Sequence, residues 1–362
     1  LGQGDFAKLY ICRHKTSGMP YAVKQVDIAS CNPKEIRTLK HLRGAPNIIQ
    51  LIEVFIEDNI TYLVLEKMSG VTLWERILEK EVYTEREARQ VCKSLFSAVD
   101  YCHKRHIAHR NIMLENLLLS EENNDASIRL ADFGLSKKVE REESLRTIVG
   151  TCVYRAPEIY RIQDGQGKGY DQRCDLWSLG VVVYLLLGGY FPFEGKDAAA
   201  VKSKVVSGEW KFHEKYWGHI SVSAQDLIRG LLMKEVEGRW SAQKALESEW
   251  MMLNDAKLSD VDLSSTQTRL KRTKGTHLFK TAVNTVSTWW RCFVYLIDGN
   301  AHCVFIDFDF LCHRSLEPKS CKQLPLFGAR SGATIWCALR NSSIGSTLYV
   351  GVHSLTFCCL SF

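Results

Sequence analysis

Nowhere in the 362-residue chain is there a run of roughly 18 consecutive apolar residues, the length a membrane-spanning helix needs, so no transmembrane segment is expected. The last fifteen residues come closest, but His353 and serines interrupt them. Acidic residues are scarce at the C-terminal end: 263–362 carry four Asp/Glu against 11 Lys/Arg, whereas 1–262 carry 37 against 36. The formal net charge of +6 therefore arises from the last hundred residues, and the balanced remainder gives no reason to expect a nucleic-acid partner. Paired cysteine spacing is lacking too. Six of the 13 cysteines scatter through 1–262, as in a cytoplasmic protein with reduced thiols, and the other seven lie between Cys292 and Cys359. Cys303, Cys312, His313 and Cys321 do not have the spacing of a zinc site. What the chain does have is an ordinary globular composition, 46% hydrophobic and 24% charged, at a length that fits one large domain or two smaller ones. It opens at Leu1 inside a glycine-rich turn, so an earlier start is expected for the natural protein.

The most informative segment is His109–Asn116, HRNIMLEN. Asp132-Phe133-Gly134 follows sixteen positions after Asn116, and Ala156-Pro157-Glu158 comes later. Leu130-Ala131-Asp132-Phe133-Gly134 reads as a strand running into a turn. Near the start, Gly2-Gln3-Gly4-Asp5-Phe6-Ala7 precedes Leu9, and Tyr21-Ala22-Val23-Lys24 alternates as a strand does. Asn32-Pro33-Lys34-Glu35 has the cap, proline and acid of a helix start, continued by Ile36, Leu39 and Leu42 at helical spacing. Ile60–Met68 reads as a buried strand. Taken singly these are weak signals: a lone glycine pattern suits any hairpin, and a strand lysine is usually just exposed.

Taken in order, they resemble the signature set of protein kinases. That resemblance implies an α+β fold of two lobes, with an antiparallel β-rich small lobe over 1–68 and a mainly helical lobe over 69–253. It implies a site for ATP and Mg²⁺ between the lobes. Gly2, Gly4, Phe6 and Leu9 would cover the phosphates, and Lys24 would hold the α- and β-phosphates. Glu35 would pair with Lys24, although at that position capping its own helix competes with the pairing. Ala22 and Leu118 would sandwich the adenine, Leu65 would close the back of its pocket, and the backbones of Glu66 and Met68 would bond its edge. Asn116 and Asp132 would ligate the metal, as oxygen donors suited to Mg²⁺. Asp175 would pin the catalytic-loop backbone, and Arg239 would form a salt bridge to Glu158.

The catalytic loop departs from the kinase pattern at three positions. Asn111 stands where an aspartate accepts the proton of the hydroxyl being phosphorylated, and a neutral amide cannot accept it. Met113 stands where serine/threonine kinases place a lysine on the γ-phosphate, and Leu114 replaces a proline. Two readings follow: a serine/threonine kinase of impaired activity, or a noncatalytic pseudokinase acting as a nucleotide-gated signalling scaffold.

Gly150–Glu158 resembles the substrate platform of serine/threonine kinases, and Thr147 falls where calcium/calmodulin-dependent relatives carry an activating phosphate. Phosphate there would pair with Arg110; the alternative is a surface threonine without a role. Residues 254–297 resemble the regulatory segment of the same group. From Leu263 to Ile297 there are six Lys/Arg and no acid, and Phe279, Val283, Val286 and Trp290 recur on one helical face. Such a basic amphipathic helix reads as a calcium/calmodulin target over 263–297, as a membrane-surface element, or as a helix docked on the kinase by its apolar face. Residues 298–362 form an unassigned Cys-rich tail, read as disordered or as translated noncoding sequence, in which Val304–Phe310 alternates like a strand.

Overall fold

Alternation of buried and half-buried residues along Ile60–Glu66 makes this strand, β5, the spine of an antiparallel sheet. Around it the order is β1-β2-β3-β5-β4, with β1 Gly2–Gly4, β2 Ala7–Arg13, β3 Pro20–Asp27 and β4 Leu51–Glu57. The computed structural model describes residues 2–4, 7–29, 31–69, 71–80, 83–121, 124–254, 263 and 266–273, and the backbone alone of four strands between 295 and 353. In β3 the register places Ala22 opposite Ile11 and Leu65, and Lys24 opposite Leu9 and Leu63. Helix α1, Pro33–His41, begins where the sequence indicates: the Asn32 side chain accepts the Lys34 N–H, and Pro33 occupies the first turn.

The remainder of this unit is mainly helical. Helices α2, Leu73–Glu79, and α3, Glu85–His103, each start with a reciprocal capping box, Thr72 with Glu75 and Thr84 with Glu87. Short strands then frame the region of interest: β6 Ile107–Ala108 pairs with β9 Lys137–Lys138, and β7 Leu117–Leu119 pairs with β8 Ile128–Leu130. After α4, Pro157–Gln163, comes α5, Cys174–Gly188, which is buried at every residue. A helix this apolar on all sides is a core helix, and α5 packs against α3.

The chain divides into two compact units, Leu1–Lys274 and Gly275–Phe362. The first extends well beyond Leu253, the predicted end of the helical lobe, because a further helix over 266–273 packs into it. Leu263 and Leu270 are buried, Thr266 Oγ1 donates to the Leu187 carbonyl (3.0 Å), and Arg269 Nε donates to that of Gly188 (2.7 Å). The close approach requires a glycine: Gly189 has φ +80°, and a Cβ there would lie 2.6 Å from the Thr266 carbonyl oxygen. In the second unit, β10 Tyr295–Ile297 pairs with β11 Cys303–Phe305, and β12 Thr334–Arg340 pairs with β13 Thr347–His353. The stretch carrying Phe279, Val283, Val286 and Trp290 lies outside the described residues, as do residues 306–310 of the predicted strand.

Candidate active site

Asp175, in the first turn of α5 and 1% exposed, organises the loop that follows β6. Its carboxylate accepts the backbone N–H groups of His109 and Arg110 (both 2.8 Å) and pairs with His103 Nε2 (3.0 Å). Burial alone would raise its pKa. The His103 hydrogen bond and charge, the nearby His109 and the Arg110 N–H outweigh burial and hold it below the usual carboxylate range. These bonds hold Arg110 in the left-handed region, φ 67°. His109 is buried and its pKa is lowered, chiefly by desolvation. The neutral ring is therefore the form at pH 7. Its Nε2 donates to the Ala131 carbonyl (3.1 Å), so Nδ1 is the acceptor for the Asn111 N–H (3.3 Å). The ring also meets Phe133 edge-on at 4.6 Å.

The structure brings the predicted central residues together. Lys24 Nζ lies 2.8 Å from Glu35 Oε1, so the competition between capping and pairing is resolved in favour of the lysine. Asn32, capping α1 with its oxygen, also donates Nδ2 to the Gly134 carbonyl (2.7 Å) and ties the helix to the turn after β8. A Cβ at Gly134 would meet Asp132 Oδ1 at 3.1 Å and Glu35 Oε2 at 3.7 Å. The Lys24–Glu35 pair and the Asp132 carboxylate thus flank the same glycine. Asn111 Nδ2 donates to Asp132 Oδ2 (3.0 Å), and Asn116 Nδ2 donates to the Asn111 carbonyl (2.8 Å). Met113 meets Thr151 through its sulfur, with Oγ1 at 3.5 Å, so a weak thioether acceptor occupies the predicted lysine position.

Ala22, Leu65 and Met68 are buried and Leu118 is half-buried. The Glu66 N–H donates to the Gln50 carbonyl (3.0 Å), and the Met68 carbonyl accepts Lys67 Nζ (3.3 Å). Gly2 pairs with Leu9 in the β1–β2 hairpin, and Phe6 lies outside the described residues. Glu158 and Arg239 form a two-point ion pair, Oε1–Nη1 2.7 Å and Oε2–Nη2 2.9 Å. Thr147 is exposed, while Arg110 donates Nε to the Leu135 carbonyl (2.7 Å) and Nη1 to the Tyr170 hydroxyl (3.0 Å). Tyr170 in turn donates to the Thr147 carbonyl (2.5 Å). Sequence reasoning missed Tyr170, His103 and the second role of Asn32. Their partners are 23 to 102 positions away, and no local pattern marks such pairs.

The family model for the protein kinase domain matches residues 1–251. The chain belongs to the protein kinase family. It is 36% identical over 291 residues to calcium/calmodulin-dependent protein kinase type 1 of Caenorhabditis briggsae, a match covering 78% of this chain and 80% of the relative. Myosin light chain kinase A of Dictyostelium discoideum is 36% identical, with 71% of this chain and 87% of that one covered. The type 1 kinase of Macrobrachium nipponense is also 36% identical, with 75% and 79% covered. The chain is thus a serine/threonine kinase-like protein with the two-lobed α+β fold, of a family whose members use ATP and a divalent metal.

The donor set suits such a metal. Among the described residues no cluster of three or more His, Cys, Asp or Glu could hold an ion alone. One carboxylate at Asp132 and one amide oxygen at Asn116 fit a cation that takes its other ligands from phosphates and water, as Mg²⁺ does.

Proposed function

We propose that this chain binds Mg-ATP between its lobes and transfers the γ-phosphoryl group to protein Ser/Thr at a rate limited by Asn111. The observation that carries the proposal is a site assembled around Asp132 in which the residue at position 111 is an amide. Lys24, oriented by Glu35, holds the α- and β-phosphates. Ala22, Leu118, and the backbones of Glu66 and Met68 receive the adenine, and Gly2, Gly4, Phe6 and Leu9 cover the phosphates. Asn116 and Asp132 supply oxygen to the metal, which when bound neutralises charge on the phosphates. Asn111 Oδ1 can accept a hydrogen bond from the substrate hydroxyl and orient it, but it cannot take the proton.

The noncatalytic reading has one specific observation in its favour: the Asn111 NH₂ group is bonded to Asp132. Regulation is proposed at two places. Phosphate on the exposed Thr147 would sit beside the Arg110–Tyr170 contact, because the Tyr170 hydroxyl bonds the Thr147 carbonyl, and 263–297 is the stretch for calcium/calmodulin, in line with the names of the type 1 relatives. Six free thiols among the described residues support a cytoplasmic setting.

Equilibrium binding of Mg-ATP to the full chain tests the nucleotide site. Saturable binding is expected, weakened about tenfold or more in Lys24→Met by loss of a charge-assisted contact. No saturable binding, or equal binding by the variant, contradicts the assignment.

A further inference from the structure

The contact between Asn111 and Asp132 has consequences for the cation as well as for the proton. Chemistry fixes the orientation of the amide: an ionised carboxylate only accepts, so the atom 3.0 Å from Asp132 Oδ2 is the NH₂ group. Asp132 has φ 62°, a left-handed conformation costly for a residue with a side chain. Two donors hold its carboxylate, one on each oxygen: the Gly134 N–H on Oδ1 (3.3 Å) and Asn111 on Oδ2 (3.0 Å). The turn is tied from its other side by Asn32 on the Gly134 carbonyl. Asn111 is itself fixed, its N–H on His109 and its carbonyl under Asn116, in a loop anchored by Asp175.

An aspartate at position 111 would set two carboxylates against each other at the distance now spanned by a hydrogen bond. Like charges so placed disfavour one another unless a cation or proton intervenes. The amide removes that repulsion and supplies an attraction in its place. We propose that Asn111 is a positioning residue that does for Asp132 part of what a divalent cation does elsewhere, preorganising the nucleotide pocket without metal and weakening the dependence of nucleotide binding on Mg²⁺. This rests on the nucleotide-binding reading above. Asp132 is exposed and Asn111 half-buried, so solvent screens the effect. Two unit charges near 4 Å in a water-like medium shift an equilibrium by about fivefold, and by more where water is partly excluded.

The test compares the full chain with Asn111→Asp and Asn111→Ala, measuring ATP affinity in EDTA and in Mg²⁺, together with hydrogen exchange over 131–136 in EDTA without nucleotide. The natural protein should gain less than about threefold in ATP affinity from Mg²⁺, and Asn111→Asp at least about tenfold. In EDTA, exchange over 131–136 should be slowest in the natural protein and faster in both variants. Mg²⁺ alone should restore protection to Asn111→Asp but not to Asn111→Ala, a difference that a purely structural role for position 111 would not produce. Equal Mg²⁺ dependence in the natural protein and Asn111→Asp overturns the proposal, as does equal protection of all three in EDTA. If none of the three binds ATP but the exchange differences appear, the nucleotide reading fails and the positioning role stands; if they are absent as well, both fail.

Discussion

Replacing Asp175 with asparagine should loosen the catalytic loop while leaving the fold in place. The side chain keeps its size, but one acceptor oxygen becomes an NH₂ group, and the buried carboxylate now accepts two backbone N–H bonds at 2.8 Å. The amide oxygen can keep only one of them. The other N–H then faces a donor, losing a charge-assisted bond and remaining desolvated. The combined cost is about 2–4 kcal/mol. At about 1.4 kcal/mol per factor of ten, the amide exchange of residues 107–112 should accelerate about 30- to 700-fold if that loop opens on its own. Peptide-resolved hydrogen exchange reads this directly, with α3 as internal reference. Unchanged exchange over 107–112 in a folded Asp175→Asn protein would refute the idea that this carboxylate organises the loop. Acceleration everywhere by the same factor would mean that the loop opens only with global unfolding.

The ion pair between Glu158 and Arg239 is nearly dry, with side-chain exposures of 10% and 0%. Glu158→Ala strands a buried guanidinium and should lower stability by about 3–5 kcal/mol in chemical denaturation, whereas Glu158→Ala with Arg239→Met should recover part of that loss. His109 contributes a pH dependence whose sign follows from burial. Its folded-state pKa lies below the ordinary 6.5, so its contribution is full above that value and is lost as pH falls through the folded pKa. Denaturation midpoints should therefore fall between pH about 7.5 and about 5.5, and less steeply in His109→Gln. An equal slope for the variant would contradict the assignment of a buried neutral ring.

Much of this site was legible in the sequence because its positions are set by local signals. Asn32-Pro33 announces the start of α1, the alternation of Ile60–Glu66 announces a strand, and the spacing of Asn116 from Asp132 survives as the β7–β8 hairpin. Whether Glu35 reaches Lys24 was not legible, since an acid in a first turn has two equally local uses and only the sheet decides between them. The bond from Asn32 to Gly134 spans 102 positions, and that from Arg110 to Tyr170 spans 60, so chain folding alone creates them. The helix over 266–273 shows the converse. Its composition suggested only part of a basic regulatory stretch, yet Leu263 and Leu270 are buried and Gln267 caps the carbonyls of Ile77 and Lys80 (both 3.1 Å). The basic composition conceals two buried leucines and four side chains, Thr266, Gln267, Arg269 and Thr273, that bond backbone carbonyls of the helical lobe.

On the proposed function, Lys24, Asn116 and Asp132 stand ready for phosphate and metal while position 111 lacks a proton acceptor. Single-turnover phosphoryl transfer from Mg-ATP, comparing the full chain with Asn111→Asp, tests it most directly. Saturable binding by both is expected, with a transfer rate about 10²–10⁴-fold higher in the variant, the usual value of a general base. Transfer by the natural protein within about tenfold of the variant would contradict it, because an amide at position 111 would then be sufficient for the reaction.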